Sequence, residues 1–121
     1  ISKKLINIID EVTIRTHKNT GTCINLMFNY GSRQEINDAI KKIKQEKSKK
    51  FNIRKYLYTE NTPDPDLIIR TGGEKRLSNF MLWQSAYSEL FFTKTLWPDF
   101  SYSKLNLAIN EFFKRKRNYG K

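Results

Sequence analysis

The run Asn61-Thr62-Pro63-Asp64-Pro65-Asp66-Leu67-Ile68-Ile69-Arg70-Thr71-Gly72-Gly73 leaves this chain little freedom in what it can build. Each proline drives the residue before it out of helical geometry, so 61–65 is a rigid break. Leu67-Ile68-Ile69 then reads as the centre of a short buried strand, Asp66 to Arg70. The strand ends on a charged residue and runs into the Thr71-Gly72-Gly73 loop. Ligands of open α/β sheets sit at the carboxyl ends of strands. The loop after Arg70 is therefore where a site is expected.

The rest of the chain alternates helices with strands. Leu5, Ile8, Ile9 and Val12 fall at helical spacing, which predicts an amphipathic helix over 2–18, stopped by Asn19-Thr20-Gly21. Thr22–Asn29 is a short apolar stretch suited to a buried strand. Ser32 with Glu35 three residues on has the pattern of a capping box, and Ile36, Ala39, Ile40 and Ile43 line one face of the helix it would open. Phe51–Tyr58 suits a short helix, and Glu89–Thr93 a further strand. Trp97-Pro98-Asp99 breaks the chain, and Leu105, Ala108, Ile109, Phe112 and Phe113 mark a last amphipathic helix. Its basic tail suits the negative end of the helix dipole. This alternation predicts an α/β fold, a largely parallel central sheet with flanking helices.

Composition narrows the function classes. The 121 residues suit one domain with a real core. The net charge of +11 points to an anionic partner: nucleic acid, an anionic membrane or phosphate. The charge is concentrated, however. Lys41–Lys50 sets six lysines against Glu46, and Lys114–Lys121 holds five basic residues and no acid, so these two runs carry +10 of the +11. Such runs are ordinarily solvated helix ends or loops. Neither has the interleaved aromatics of a single-strand binder, and no zinc-finger or RNP pattern is present, so a basic nucleic-acid-binding domain is the minor alternative. No apolar run approaches the length of a membrane span, and Ile1–Asp10 lacks the features of a signal peptide. The single Cys23 excludes an internal disulfide and fits a reducing, cytoplasmic setting. It reads as a buried thiol, and His17 as a surface histidine.

P-loop, dinucleotide and nucleophile-elbow motifs are absent. The chemistry is concentrated in 70–92. Arg70, Arg76 and Ser78 fall within nine residues around Gly72 and Gly73. Forked guanidiniums, a hydroxyl and glycine amides suit the oxygens of a diphosphate, although an ordinary charged surface loop has the same composition. Glu89 opens an apolar stretch and could hold Mg²⁺, which takes one or two carboxylates together with substrate phosphates. The aromatic cluster Phe80, Trp83, Tyr87, Phe91, Phe92, Trp97 and Phe100 reads as core, or as interface.

The residues from Asp66 through Arg70, Thr71-Gly72-Gly73-Glu74-Lys75-Arg76-Leu77-Ser78-Asn79-Phe80 and on to Phe92, followed by Leu96-Trp97-Pro98-Asp99-Phe100, closely resemble the carboxyl-terminal signature of cis-prenyltransferases. These are the undecaprenyl and related polyprenyl diphosphate synthases. Asn29-Tyr30-Gly31-Ser32-Arg33-Gln34-Glu35-Ile36 and the tail ending Tyr119-Gly120 add to the likeness, which spans nearly the whole chain. Family members run to roughly twice this length. Their amino-terminal half carries an Asp-Gly-Asn-Gly-Arg-Trp-like motif, which supplies a metal-binding aspartate and the cradle for the allylic diphosphate, and nothing here corresponds to it. The resemblance thus implies that 1–121 is the carboxyl-terminal portion of a single catalytic domain, inactive by itself.

Carried over by residue, the resemblance implies that Arg70, Arg76 and Ser78 bind the diphosphate of isopentenyl diphosphate. It implies that Gly72 and Gly73 shape the loop and, with Glu74, belong to the substrate-binding set, and that Glu89 holds Mg²⁺. It implies an allylic co-substrate such as farnesyl diphosphate, and a hydrophobic tunnel with Thr22–Phe28 as one wall. It also implies a homodimer meeting near Ser85–Leu90, with the tail reaching the partner's site through Gly120; Asn118 stands where the family tail has arginine. The resulting expectation is a cytoplasmic Mg²⁺-dependent cis-prenyltransferase, with peripheral association at a membrane surface allowed and no nucleic-acid partner. The alternative of a non-catalytic partner subunit is disfavoured, because such subunits usually lack the Arg70–Ser78 motif.

Overall fold

The computed structural model describes residues 2–46 and 52–116. Helix α1 spans Lys3–Thr16 and opens on Ser2, whose hydroxyl accepts from the Leu5 amide at 3.3 Å. Helix α2 spans Ser32–Glu46, and a 3₁₀ turn at Ile53–Tyr56 packs against it. Asn52 caps that turn by accepting from the Arg54 amide, while the Arg54 guanidinium reaches Asp64 and the Thr62 carbonyl. The rigid 61–65 break is thereby tied to the turn before it.

Strand β1, Leu67–Arg70, leads out of that break. It pairs in parallel with β2, Glu89–Phe92, in the register Leu67↔Glu89 to Arg70↔Phe92. The pairing continues past the carboxyl ends. The Thr93 amide donates to the Arg70 carbonyl, the Gly73 amide to Thr93 and the Gly72 amide to Thr95. A second 3₁₀ turn, Trp97–Asp99, precedes helix α3, Tyr102–Lys114. Helices flanking a parallel sheet are thus present as expected, with two strands in the sheet among the described residues. No helix among the described residues is long and apolar enough to cross a membrane.

Four expectations need correcting. Thr22–Asn29 joins no ladder among the described residues, and Ile24, Leu26 and Phe28 are more than half exposed. An apolar stretch becomes a buried strand only if a neighbour offers its backbone groups, and none of the described segments does. Cys23, within that stretch, is consequently exposed rather than buried. The capping box does not form, because the Glu35 side chain turns inward to partners distant in sequence. Finally, the core reading of the aromatic cluster fails, since none of the seven is fully enclosed and Trp97 is 76% exposed and Tyr87 62%, which leaves the interface reading. The fully enclosed apolar residues among those described are Ala39, Leu57 and Ala108, and α1 encloses none. The accessible surface of 10297 Å² exceeds the roughly 6,800 Å² usual for a folded monomer of 14.4 kDa. Apolar faces on α1 and on 24–28 are thus open to solvent rather than packed into a core. Of the remaining readings, Lys47–Lys50, Phe51 and the tail from Arg117, with Asn118 and Gly120, lie outside the described residues.

Candidate functional site

The carboxyl end of β1 opens into a cleft of about 330 Å³ lined by Arg70, Thr71, Arg76, Leu77, Ser78 and Phe80, with Ile68 and Ile69 of the strand at its side. The structure therefore brings Arg70, Arg76 and Ser78 together where the strand-end rule places a ligand. The Arg70 guanidinium spans the cleft, donating to the Arg76 carbonyl and, at 3.0 Å, to the Ser78 hydroxyl. The Arg76 guanidinium pairs with Glu74 at 2.5 Å, and both side chains are more than half exposed. Such a pair contributes less than about 1 kcal/mol, so Glu74 holds Arg76 loosely against a competing anion.

Gly72 and Gly73 act by shape. Their φ angles of +88° and +86° lie in the left-handed region that L side chains avoid. Their amides are engaged by the Thr95 and Thr93 carbonyls, so the loop turns sharply without offering those two N–H groups to a ligand.

Glu89 is not brought to the cleft. The ladder sets it beside Leu67, three residues before Arg70 and so about 10 Å back along the strand. Its carboxylate accepts from the Arg115 guanidinium at 2.7 Å, and that same guanidinium donates to the Leu90 carbonyl. No group of three or more acidic, histidine or cysteine side chains gathers among the described residues. As a hard oxygen donor Glu89 fits Mg²⁺, but as one ligand of several and only once Arg115 yields it.

Sequence reasoning missed the layer beneath the cleft. Glu35, fully enclosed, accepts from the Tyr30 hydroxyl at 2.5 Å, the Tyr58 amide at 2.9 Å and Gln84 Nε2 at 3.1 Å. Gln84 Nε2 also donates to Thr59, while its Oε1 is buried without a hydrogen-bond partner among the described residues. The Tyr30 ring meets Phe80 of the cleft edge-on at 5.7 Å. Glu35 has its donors supplied by three separate segments, and no local pattern reports that.

Burial, reinforced by the hydrogen bond to Glu35, pushes the Tyr30 hydroxyl from its ordinary 10.0 up to about 12. A raised folded-state value favours the protonated form, so this stabilisation is complete below pH 10 and is lost as the pH climbs toward 12. Denaturant titrations across that window should show Tyr30→Phe losing less stability with pH than the parent. Equal slopes would exclude the contribution.

Known proteins resemble this chain in sequence and fold. Residues 1–120 match the prenyltransferase family described as "Putative undecaprenyl diphosphate synthase". The chain belongs to this undecaprenyl diphosphate synthase family. An isoprenyl transferase from Treponema denticola is 50% identical over 115 residues, covering 93% of this chain and 51% of its own. A crystal structure of a probable undecaprenyl diphosphate synthase from Campylobacter jejuni superposes with a TM-score of 0.89 at 35% identity, over all of this chain and 58% of that one. Lavandulyl diphosphate synthase from Lavandula x intermedia, solved in complex with dimethylallyl diphosphate, gives 0.93 at 31% identity, over all of this chain and 56% of that one. The chain spans about half the length of the curated relatives it matches. The fold is thus that of the undecaprenyl diphosphate synthase family, and the Arg70–Ser78 cleft lies within the part shared with its members.

Proposed function

We propose that this chain forms the carboxyl-terminal portion of a cis-prenyltransferase catalytic domain and carries its isopentenyl diphosphate half-site. The observation that carries this reading is the convergence of Arg70, Arg76 and Ser78 on one cleft at the carboxyl end of β1. Two forked cations and a hydroxyl match a diphosphate, and the apolar Leu77 and Phe80 beside them suit a short hydrocarbon. The lavandulyl synthase complex, with its bound allylic diphosphate, supports a diphosphate ligand for this fold.

In the reaction proposed, the double bond of isopentenyl diphosphate forms a carbon–carbon bond to the allylic carbon of a partner such as farnesyl diphosphate. The allylic diphosphate leaves with the bonding pair, a proton is lost and a cis double bond remains. Arg70, Arg76 and Ser78 hold the isopentenyl diphosphate, and most of the rate comes from positioning and from charges placed in advance. Bound Mg²⁺ would stabilise charge on the departing diphosphate, with Glu89 supplying one oxygen. The half-exposed Trp83 ahead of Ser85–Leu90 and the exposed Tyr87 within it suit a homodimer contact, and the long apolar product favours peripheral membrane association. Gly120 belongs to the same proposal as a tail contact.

The test is turnover of isopentenyl diphosphate with farnesyl diphosphate by the full natural polypeptide, titrated with Mg²⁺. The expected result is chain elongation, with Glu89→Ala shifting the Mg²⁺ response and the isolated 121-residue chain inactive. No elongation by the full polypeptide would sink the proposal, and an unaltered Mg²⁺ titration in the variant would remove Glu89 from it.

A further inference from the structure

The wall of the cleft holds an unusual backbone. Ser78, Asn79 and Met81 have φ angles of +47°, +64° and +47°, left-handed values at three non-glycine residues within four positions. L-residues adopt that conformation at a cost, and it persists only where the surroundings impose it. Here the first turn of α2 imposes it. The Ser32 amide donates to the Asn79 carbonyl at 2.8 Å, and the Arg33 amide to Asn79 Oδ1 at 2.9 Å. In return Ser32 Oγ accepts from the Leu82 amide at 3.0 Å. Two amides that a helix start leaves without intrahelical partners are thus capped by a residue far away in sequence.

The approach at Gly31 is close. A Cβ built there would lie 2.7 Å from Asn79 Nδ2, so a side chain at 31 would push Asn79 away. From the clamped Asn79 the chain passes directly to Ser78, whose hydroxyl accepts from Arg70, and Arg70 also holds the Arg76 carbonyl. The first turn of α2 is therefore linked through Asn79 and its neighbour Ser78 to the diphosphate-binding side chains, although it lines no part of the cleft.

We propose that Asn79, clamped on Gly31-Ser32-Arg33, is a positioning residue that sets Ser78 and Arg70 for diphosphate binding. The proposal rests on the half-site reading above.

Asn79→Gly separates positioning from mere stability. Glycine adopts the left-handed conformation freely, so the backbone geometry stays favourable while the Oδ1 cap on Arg33 is lost. In the full natural polypeptide, Asn79→Gly should raise KM for isopentenyl diphosphate about tenfold, with kcat within about threefold of the parent and Tm nearly unchanged. Gly31→Ala should raise KM similarly in the parent, but by less than about twofold in the Asn79→Gly background, because the atom it would displace is gone. A KM within about threefold of the parent for Asn79→Gly, a rise seen only alongside a Tm loss above about 5 °C, or additive effects of the two substitutions would each overturn the proposal. Arg76→Ala, measured in parallel, distinguishes the failures. If it weakens isopentenyl diphosphate use and Asn79→Gly does not, the clamp alone is wrong; if Arg76→Ala has no effect, the half-site reading itself fails.

Discussion

Replacing Arg76 by alanine should lower kcat/KM for isopentenyl diphosphate about 30-fold, the equivalent of ~2 kcal/mol, on the scale of one lost charge-assisted contact. The size follows from what the cleft leaves behind. Arg70 already spans to the Ser78 hydroxyl and to the Arg76 carbonyl, and the carbonyl survives truncation of the side chain. The cleft should thus keep its form while one of its two guanidiniums disappears. Glu74 loses its partner at the same time, which leaves an unpaired carboxylate two residues from the truncated side chain. Arg76→Lys should recover only part of the activity, since an ammonium restores the charge but not the two-pronged geometry. Initial rates at varied isopentenyl diphosphate and saturating allylic substrate check both variants. Unchanged kcat and KM in Arg76→Ala would remove this side chain from the site.

The position of the cleft is legible from sequence because its signal is local. A proline break, three aliphatic residues, an arginine and two glycines determine strand, strand end and loop within thirteen positions. Each of those effects acts over a few residues, and β1, its loop and the cleft follow. Thr22–Asn29 carries a comparable apolar signal, yet Ile24 and Leu26 face solvent. The difference lies in the partner: Leu67–Arg70 finds Glu89–Phe92, whereas 22–29 finds no strand among the described residues. Apolar pattern reports willingness to be buried, not the presence of a neighbour.

The same distinction separates Glu35 and Asn79 from the residues that sequence could place. Ser32 and Glu35 have the spacing of a reciprocal cap, and that local option competes with donors from Tyr30, Tyr58 and Gln84. The distant donors win because they let a carboxylate be enclosed with its oxygens satisfied. The cap is then supplied by Asn79, some 46 residues away, to the Arg33 amide. A Ser-Asn pair ahead of an aromatic signals a turn, and asparagine tolerates the left-handed region. That signal shows where the chain bends but not what the bend clasps.

Glu35→Ala should destabilise the fold more than any of the other substitutions named above, costing about 3 kcal/mol or more. The carboxylate is fully enclosed, and its removal strands three donors at once: the Tyr30 hydroxyl, the Tyr58 amide and one Gln84 Nε2 hydrogen. An unmet buried donor costs about 1–3 kcal/mol, and part of that cost is recovered where Tyr30, at the rim, turns to water. Gln84 cannot escape so easily, because it is enclosed too and its Oε1 already lacks a partner among the described residues. Glu35→Gln should cost less, since an amide oxygen still accepts from one or two of the three donors while its NH₂ opposes the third. In the full natural polypeptide the alanine variant should melt about 10 °C below the parent, with the glutamine variant between the two. The loss should extend to the cleft, because Glu35 anchors the same first turn of α2 that clamps Asn79. Melting temperatures for alanine and parent that coincide would show that the enclosed network contributes no stability, and with it would go the account of a polar layer that carries the cleft.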